Sequence, residues 1–499
     1  MTAQARYSPA QLAMLLGLPG PTGEQAAVIA APLEPLAVIA GAGSGKSETM
    51  AARLVWLVAN GMVAPERVLG LTFTRKAAAE LGQRVRTRLA GLRRAGLAGG
   101  TAPAGRPGPP PAEASRRGAP PDSAPLDDSS LGSAVPGDAS PGGAPLGGVS
   151  LDDLLLRGGL RADAGPAGPG RPAVEDAPEG EPVVSTYHAY AARLVADHAL
   201  REALEPSLRL ITPAVAWQIA ARVVAAYSGP MDAIDRAPQW VTAAVLDLAA
   251  ELAEHLRTPA DVQQVGRWLD TACQTIPGRV PALVRKISEC QRTREQLLPM
   301  VAAYTQAKAA REVVDYGDQV ALAARIATRH PQVGAIERAR YQVVLLDEYQ
   351  DTSHAQLVLL QALFGAGHPV TAVGDPCQSI YGWRGASAGN LRRFVADFPV
   401  AGRPGPGPDG NGSDRRGGTR PAKVRQLSTS FRNTGRVLDA AGALQQGLRA
   451  EAPQVPRLVP PPSRAARGRV VCALTETAAA EAGWVAEQVS ALLALPAGL

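Results

Sequence analysis

The chain has 499 residues and carries 51 Lys and Arg against 45 Asp and Glu, which leaves a net charge of +6. Its four cysteines have no CxxC spacing, so a zinc ribbon and a disulfide scaffold are excluded. It has no secretion signal and no apolar run of the roughly 18 residues that a membrane helix needs, so we expect a cytoplasmic protein with no membrane partner.

The first hundred residues have the composition of a folded domain and begin with a predicted short helix. Ser8 is its predicted N-cap, Pro9 its first residue, Gln11 the second member of a capping box, and Gly17 its end. Residues 35–58, PLAVIAGAGSGKSETMAARLVWLV, then predict a buried strand, a glycine-rich turn and an amphipathic helix.

That turn matches the pattern AxxxxGK[ST] from Ala40 to Ser47, with Ala where the strict P-loop has Gly. Its glycines allow backbone N–H groups to face inward, and the start of the helix adds a positive end that favours phosphate. Lys46 can reach the β- and γ-phosphates of ATP, and the Ser47 hydroxyl can hold Mg²⁺. A glycine-rich loop that merely joins a strand to a helix is the alternative. The predicted ATP-binding residues of the loop are Gly41, Ala42, Gly43, Ser44, Gly45, Lys46 and Ser47.

The composition changes after the first hundred residues. Residues 101–182 hold 16 Pro and 15 Gly and no Phe, Trp or Tyr, so we expect a disordered insert that cannot bury enough apolar surface to fold. Residues 183–310 have helical periodicity, and 311–400 alternate apolar strands with helices. A flexible insert at 401–422 is followed by a predicted strand and helix, a strand at 469–475 and a helix at 477–493. This alternation predicts an α/β fold with parallel strands and an inserted, mainly helical region.

A pair of adjacent carboxylates follows the predicted strand in YQVVLLDEYQDT at 341–352. Beside the P-loop strand, Asp347 is placed to hold Mg²⁺ and Glu348 to act as the general base on an attacking water. A helix-capping acidic pair is the alternative. Together with the P-loop, the pair favours hydrolysis over a small-molecule kinase, and the lack of an NKxD element disfavours a GTPase.

DEYQDT at 347–352 and GDPCQSIYGWRGA at 374–386 resemble motifs II and III of superfamily 1 helicases of the UvrD/Rep class. Five further segments match this class in order: TGEQAAVI at 22–29, LTFTRKAAAEL at 71–81, VSTYHAYAARL at 184–194, VVDYGDQV at 313–320 and LSTSFRNTGRVL at 427–438. The resemblance implies an ATP-dependent DNA helicase that uses ATP and Mg²⁺ and binds single-stranded or tailed duplex DNA.

The resemblance assigns roles to residues around the ATP site. Gln25 is the expected adenine reader, and Phe431 is expected to stack on the adenine. Gln378 is expected to sense the γ-phosphate, and Arg432 to reach it from the second motor domain. A buried amide, core packing and a surface ion pair are the alternatives for Gln378, Phe431 and Arg432. The expected catalytic residues are Lys46, Glu348, Gln378 and Arg432.

The resemblance also implies a surface that binds DNA through aromatic rings and phosphate-binding groups. Aromatic residues make up only 4% of the chain, yet they cluster in TFTRK, TYHAY and YGWRG. Core packing is the alternative for Trp383, and a satisfied backbone contact is the alternative for His188. The expected DNA contacts are Phe73, Thr74, Arg75, Thr186, Tyr187, His188, Tyr381, Trp383 and Arg384.

The resemblance finally divides the chain into domains. The expected segments are a first RecA-like domain at 1–100 and 311–400, a disordered insert at 101–182, a helical 1B-like subdomain at 183–310, a flexible insert at 401–422 and the beginning of a second RecA-like domain at 423–499.

Within the class, YSPAQLAMLLGLP at 7–19, ETMAARLVWLVANG at 48–61 and VLGLTFTRKAAAEL at 68–81 are similar to the AdnB-type subunit of actinobacterial helicase–nucleases. The class resemblance implies 3′→5′ movement and a role in DNA repair or recombination, and the AdnB similarity implies a partner subunit of AdnA type. Motifs V and VI of the class are not found before Leu499, so we expect a truncated product that binds single-stranded DNA weakly and unwinds nothing. The alternative is an ATP- and DNA-binding partner or regulatory protein without unwinding activity.

Overall fold

The computed structural model describes residues 5–96, 180–276, 278–382, 389–402, 418–451 and 454–494. The strands are β1 Leu36–Ala40, β2 Val68–Thr72, β3 Val183–Thr186, β4 Arg209–Leu210, β5 Val313–Val314, β6 Val343–Leu346, β7 Val370–Gly374 and β8 Lys423–Leu427. The helices are α1 Pro9–Leu15, α2 Gly23–Ile29, α3 Lys46–Ala59, α4 Arg75–Arg94, α5 Tyr187–His198, α6 Pro213–Ala226, α7 Pro238–Glu254, α8 Pro259–Thr275, α9 Ala282–Ala309, α10 Tyr316–Arg329, α11 Pro331–Arg340, α12 His354–Phe364, α13 Gly389–Asp397, α14 Gly435–Leu444, α15 Gln446–Glu451 and α16 Ala478–Leu493.

Six of the strands form one sheet in the order β3-β2-β6-β7-β1-β8, and every pairing in it is parallel. Strands β1, β2, β6 and β7 are buried along their whole length, as expected for short apolar runs covered on both faces. The predicted α/β fold with parallel strands is confirmed. Because parallel strands end at the same edge, the residues that follow β1, β6 and β7 meet there.

The hydrophobic core lies on both faces of the sheet. On one face α2, α3 and α4 contribute residues such as Val28, Trp56 and Leu89. On the other face α5, α10, α12 and α13 pack around Tyr190 and Phe364, among others. These two layers of helices cover both faces of the sheet and hold the ends of its strands in place.

A mainly helical region lies between β4 and β5, and its helices α6, α7 and α9 pack around Ile219, Val245 and Tyr304. Strands β4 and β5 are two residues long and pair in parallel where the chain enters and leaves this region. The predicted start of the helical subdomain at residue 183 is wrong. Residues 183–186 are instead β3 of the main sheet, because they pair with β2.

The predicted start of the second motor domain at residue 423 also needs correction. Residues 423–427 form β8, which pairs with β1 in register from Leu36 to Ala40 and so extends the first sheet. No strand forms at 469–475, where Val470, Val471 and Leu474 are exposed and have no strand beside them. The predicted helix at 477–493 does form, as α16, and none of its residues is buried.

The predicted first helix is confirmed. Helix α1 starts with the predicted capping box of Ser8 and Gln11, and Gly17 follows its last turn with a positive φ of 65°. The predicted disordered insert at 101–182 and the flexible insert at 401–422 fall largely on residues 97–179 and 403–417, which lie outside the described residues. Among the helices that the structure describes, none combines the length and the apolar character needed to cross a membrane.

Candidate active site

The P-loop lies between β1 and α3, as its sequence predicts. Gly43 and Gly45 have φ values of 75° and 80°, in the left-handed region that favours glycine, and Gly45 is the N-cap of α3. The Ser44 hydroxyl donates to the Gly41 carbonyl at 2.8 Å and so closes the turn. The N–H groups at the start of α3 therefore point out of the loop, an arrangement suited to a phosphate group.

Lys46 and Ser47 meet the carboxylates that follow β6. Lys46 Nζ lies 3.1 Å from Glu348 Oε2, and both side chains are more than half buried. The Ser47 hydroxyl faces the Asp347 carboxyl closely enough to favour its ionised form. Two pairs of adjacent residues, 302 positions apart in the sequence, thus form one cluster at the edge of the sheet.

The Asp347 carboxyl is buried, and its backbone N–H donates to the Leu71 carbonyl of β2 at 2.8 Å. Burial, followed by the neighbouring Glu348 charge, raises the pKa of Asp347 to about 6, while Lys46 and the Ser47 hydrogen bond act in the opposite direction. Because burial disfavours the ionised form of Asp347, a cation bound beside this carboxylate would stabilise its negative charge. The donor set of one hydroxyl and one buried carboxylate fits Mg²⁺.

The backbone of Glu348 has a φ of 48°, an uncommon left-handed conformation for a residue with a side chain. Such strain is typical of active sites and is held in place by surrounding contacts. Here the Glu348 N–H donates to Asp347 Oδ1 at 3.1 Å, and the side chain accepts from Lys46 and from Gln350. The strand end therefore fixes the direction of the Glu348 carboxylate.

Gln25 lies beside the P-loop at the start of α2. Its Oε1 accepts from the Thr22 N–H in a capping box, and its Nε2 donates to the Ser44 carbonyl at 3.2 Å. Arg53 of α3 holds the other end of α2, because its buried guanidinium donates to backbone carbonyls there. Sequence reasoning missed Arg53, although an arginine on the apolar face of an otherwise hydrophobic helix was a visible signal.

Residues 430–432 pack directly on the P-loop. The Phe431 N–H donates to the Gly43 carbonyl and the Ser430 hydroxyl to the Ala42 carbonyl, both at 2.8 Å. A Cβ at Gly43 would clash with Arg432 Cβ, so glycine is required for this close approach. Phe431 and Arg432 are therefore beside the loop, with both side chains exposed.

Gln378 follows β7 in a short 3-10 helix, Pro376–Gln378. Its amide donates to Asp375 Oδ2 at 2.7 Å, and the other oxygen of that carboxylate accepts from the Cys377 N–H. The structure thus places Gln378 at the same edge of the sheet as the carboxylates, in contact with Asp375. A buried residue that sequence reasoning missed, Gln350, connects these two strand ends.

The predicted DNA contacts divide into two groups at the same edge of the sheet. Phe73 and Tyr381 stack on one another with their ring centroids 4.7 Å apart. Thr74 is the N-cap of α4, and the exposed Arg75 is the first residue of that helix. Trp383 and Arg384 lie outside the described residues.

The second group surrounds the start of α5. Thr186 is the N-cap of this helix, and His188 meets the exposed Tyr316 ring edge to face at 5.9 Å. The prediction of Tyr187 as a DNA contact is wrong. Its ring is 3% exposed, and its hydroxyl donates to the Asp347 carbonyl at 3.1 Å. The Tyr187 hydroxyl thereby holds the backbone of the acidic pair in place. The exposed Tyr316 is an aromatic residue of this surface that sequence reasoning missed.

Comparison with known proteins relates this site to one family. Residues 22–399 match the model of the UvrD/REP helicase N-terminal domain. DNA helicase II of Escherichia coli (strain K12) is 23% identical over 422 residues, which cover 84% of this chain and 39% of that protein. ATP-dependent DNA helicase PcrA of Staphylococcus aureus (strain Mu50 / ATCC 700699) is 27% identical over 219 residues, or 44% of this chain and 26% of that protein. DNA helicase II of Rickettsia typhi is 40% identical over 89 residues, 18% of this chain and 14% of the relative. The chain thus spans well under half the length of the curated relatives that it matches.

Proposed function

The chain belongs to the UvrD/REP helicase family, and we propose that it is the ATP-hydrolysing part of a DNA helicase that acts on single-stranded or tailed duplex DNA. The observation that carries this proposal is the meeting of Lys46, Ser47, Asp347 and Glu348 at one edge of a parallel sheet. A phosphate-binding loop, a metal-binding pair and a general base are the groups that hydrolysis of a nucleoside triphosphate requires.

In the proposed mechanism, the P-loop N–H groups and Lys46 bind the β- and γ-phosphates. Bound Mg²⁺, held by Ser47 and Asp347, would neutralise charge on the phosphate oxygens. Lys46 is paired with Glu348 in this structure, so phosphate binding draws the ammonium away from the carboxylate. Glu348 is then available to accept the proton of the attacking water.

We assign Gln25 to the adenine, with its amide exchanging the Ser44 carbonyl for the base. Phe431 and Arg432, which the backbone places beside the P-loop, are assigned to the adenine face and to the γ-phosphate. Gln378 is assigned to the γ-phosphate as well. The support for these roles is position at the edge of the sheet together with the match to the family.

We assign DNA binding to the surface above β2, β3 and β7. The stacked Phe73 and Tyr381 rings offer flat faces to bases, and Arg75 offers a cation to a phosphate. Stacking on rings does not read sequence, so the proposed substrate is single-stranded DNA of any sequence. The other proposed contacts are Thr74, Thr186, His188, Trp383 and Arg384, whereas Tyr187 is withdrawn because it is buried.

The finer assignments are proposals on the motif similarity alone. These are an AdnB-type subunit with an AdnA-type partner, 3′→5′ movement and a role in repair or recombination. For the domains we propose a RecA-like motor domain that includes β3 and β8, with a helical 1B-like subdomain between β4 and β5. The residues after β8 are assigned to the start of a second motor domain.

The proposed function is tested by measuring ATP hydrolysis by the 499-residue chain with and without an oligo(dT) strand, together with Lys46→Ala. We expect Mg²⁺-dependent hydrolysis that the oligonucleotide stimulates, and its loss in Lys46→Ala because the loop then lacks its cation. Equal hydrolysis by the two proteins would refute the assignment of the site.

A further inference from the structure

Gln350 lies between the acidic pair and the end of β7, and it is 1% exposed. Its Nε2 donates to Glu348 Oε2 and to Asp351 Oδ2, each at 3.0 Å. Its Oε1 accepts from the Asp375 N–H, also at 3.0 Å. The amide can take only this orientation, because the reverse would place its carbonyl oxygen against two carboxylates and an N–H against an N–H.

The same residues hold the segment that follows β7. The Ser379 hydroxyl donates to the Gln350 backbone carbonyl, and the Ile380 N–H donates to Asp351 Oδ1, both at 3.3 Å. The next residue in the chain is Tyr381, which stacks on Phe73. A continuous chain of contacts therefore runs from the Glu348 carboxylate through Gln350 and Asp351 to the aromatic pair.

Gly374, the last residue of β7, makes this connection possible. A Cβ at position 374 would clash with Gln350 Oε1, so any other residue would push the amide out of its place. The close approach keeps Gln350 between the two strand ends. It also means that a movement of the end of β7 has to move the amide with it.

From these contacts we propose that Gln350 is a positioning residue that links occupation of the Phe73–Tyr381 surface by DNA to the orientation of Glu348 at the ATP site. The proposal rests on the function proposed above and names the path within that site. In this structure Glu348 Oε2 accepts from two donors, Lys46 and Gln350. When phosphate draws Lys46 away, Gln350 remains to orient the carboxylate, and its position depends on the segment from Asp375 to Tyr381.

The test compares Gln350→Met, which keeps the size of the side chain but cannot donate or accept, with wild type. Gln356→Met is the matched control, because Gln356 is another buried glutamine of this region, and its side-chain oxygen accepts from the Ser353 N–H in its own helix cap. Gln350→Glu is a second variant. It retains an acceptor for the Asp375 N–H and places a negative charge against Glu348 and Asp351.

Two quantities are measured in each protein: kcat and KM for ATP with and without oligo(dT), and the change in oligo(dT) affinity caused by a non-hydrolysable ATP analogue. For both Gln350 variants we expect the DNA-stimulated kcat to fall at least about tenfold, while KM and the nucleotide-free DNA affinity stay near wild type. The analogue should change the DNA affinity of wild type and Gln356→Met by about fivefold or more, and hardly change that of the Gln350 variants.

The inference is overturned if either Gln350 variant folds and keeps both the DNA-stimulated kcat of wild type and its change in oligo(dT) affinity with the ATP analogue. An equal loss in Gln356→Met would overturn it too, because any buried amide would then serve. The proposed function itself has a separate failure: it would be refuted by a wild-type chain that binds neither nucleotide nor oligo(dT). If the wild type binds both ligands but couples them no more strongly than the Gln350 variants do, only the inference about Gln350 fails.

Discussion

Arg53 gives the sharpest prediction about what holds α2 against α3, the helix that follows the P-loop. This residue of α3 is 1% exposed, and its guanidinium faces the end of α2. Its four hydrogen bonds run from Nη1 to the carbonyls of Val28, Ile29 and Ala31 at 2.9, 3.1 and 2.8 Å, and from Nη2 to the Pro32 carbonyl at 3.0 Å. The last carbonyls of a helix have no partner within the helix and lie at its negative end, so a buried cation there satisfies them.

The variant Arg53→Met keeps the apolar stem and removes the donors. Burial lowers the pKa of Arg53 to about 10, so the group is still charged at neutral pH. Removing the guanidinium leaves backbone carbonyls buried without a donor, which costs about 1–3 kcal/mol. We therefore expect the free energy of unfolding to fall by about this amount, and Gln25 on α2 to lose its place beside the P-loop.

The assay is urea unfolding followed by circular dichroism, with ADP affinity measured on the folded variant. Arg67→Met is the matched control, because the Arg67 guanidinium also donates to a backbone carbonyl, that of Ala339, but on the surface. It should change the free energy of unfolding by less than about 0.5 kcal/mol. A loss below about 1 kcal/mol in Arg53→Met would show that this arginine does not hold α2 against α3.

Three further changes test other parts of the structure. Burial raises the pKa of Asp347 to about 6 from 3.8, so its ionised form destabilises the folded chain above pH 6 and the effect disappears as the pH falls to 3.8. In thermal unfolding, Asp347→Asn should therefore be more stable than wild type at pH 8, by up to about 3 kcal/mol, and as stable as wild type near pH 4. Equal stability of the two proteins at pH 8 would contradict this. Glu337→Gln removes the buried partner charge of Arg193, which then keeps its pair with the more exposed Asp197. It should lower the free energy of unfolding by about 1.5–3 kcal/mol in urea titrations, and a loss within about 1 kcal/mol would show the buried pair to be dispensable. Tyr381→Ala removes one stacked ring and should weaken oligo(dT) binding by about tenfold in fluorescence titrations, whereas an unchanged affinity would place the DNA elsewhere.

The parts of the site that the sequence could predict are those built by short segments. The run from Leu36 to Ala59 contains its own strand, its own turn glycines and its own helix, so its geometry depends little on the rest of the chain. The strand before Asp347 could be predicted for the same reason, because its apolar run is continuous in the sequence. The parallel pairing of the strands could be predicted because apolar runs alternate with helices along the chain.

The errors arose where position depends on partners distant in the sequence. Strand β8 could not be told from the first strand of a new domain, because only its pairing with β1 decides which sheet it joins. The motif TYHAY predicts a DNA contact at Tyr187, which the structure buries. Its spacing to Tyr190, Ala191 and Leu194 on the buried face of α5 was the signal that it belongs to the core.

In the proposed function Glu348, beside the P-loop, activates water for the hydrolysis of ATP in response to DNA. The most direct measurement is ATP hydrolysis and ATP binding by wild type and Glu348→Gln at saturating oligo(dT). The amide cannot take the proton of water, so we expect Glu348→Gln to bind ATP as wild type does and to hydrolyse it about 10²–10⁴-fold more slowly. Hydrolysis at the wild-type rate by Glu348→Gln would show that Glu348 is not the general base.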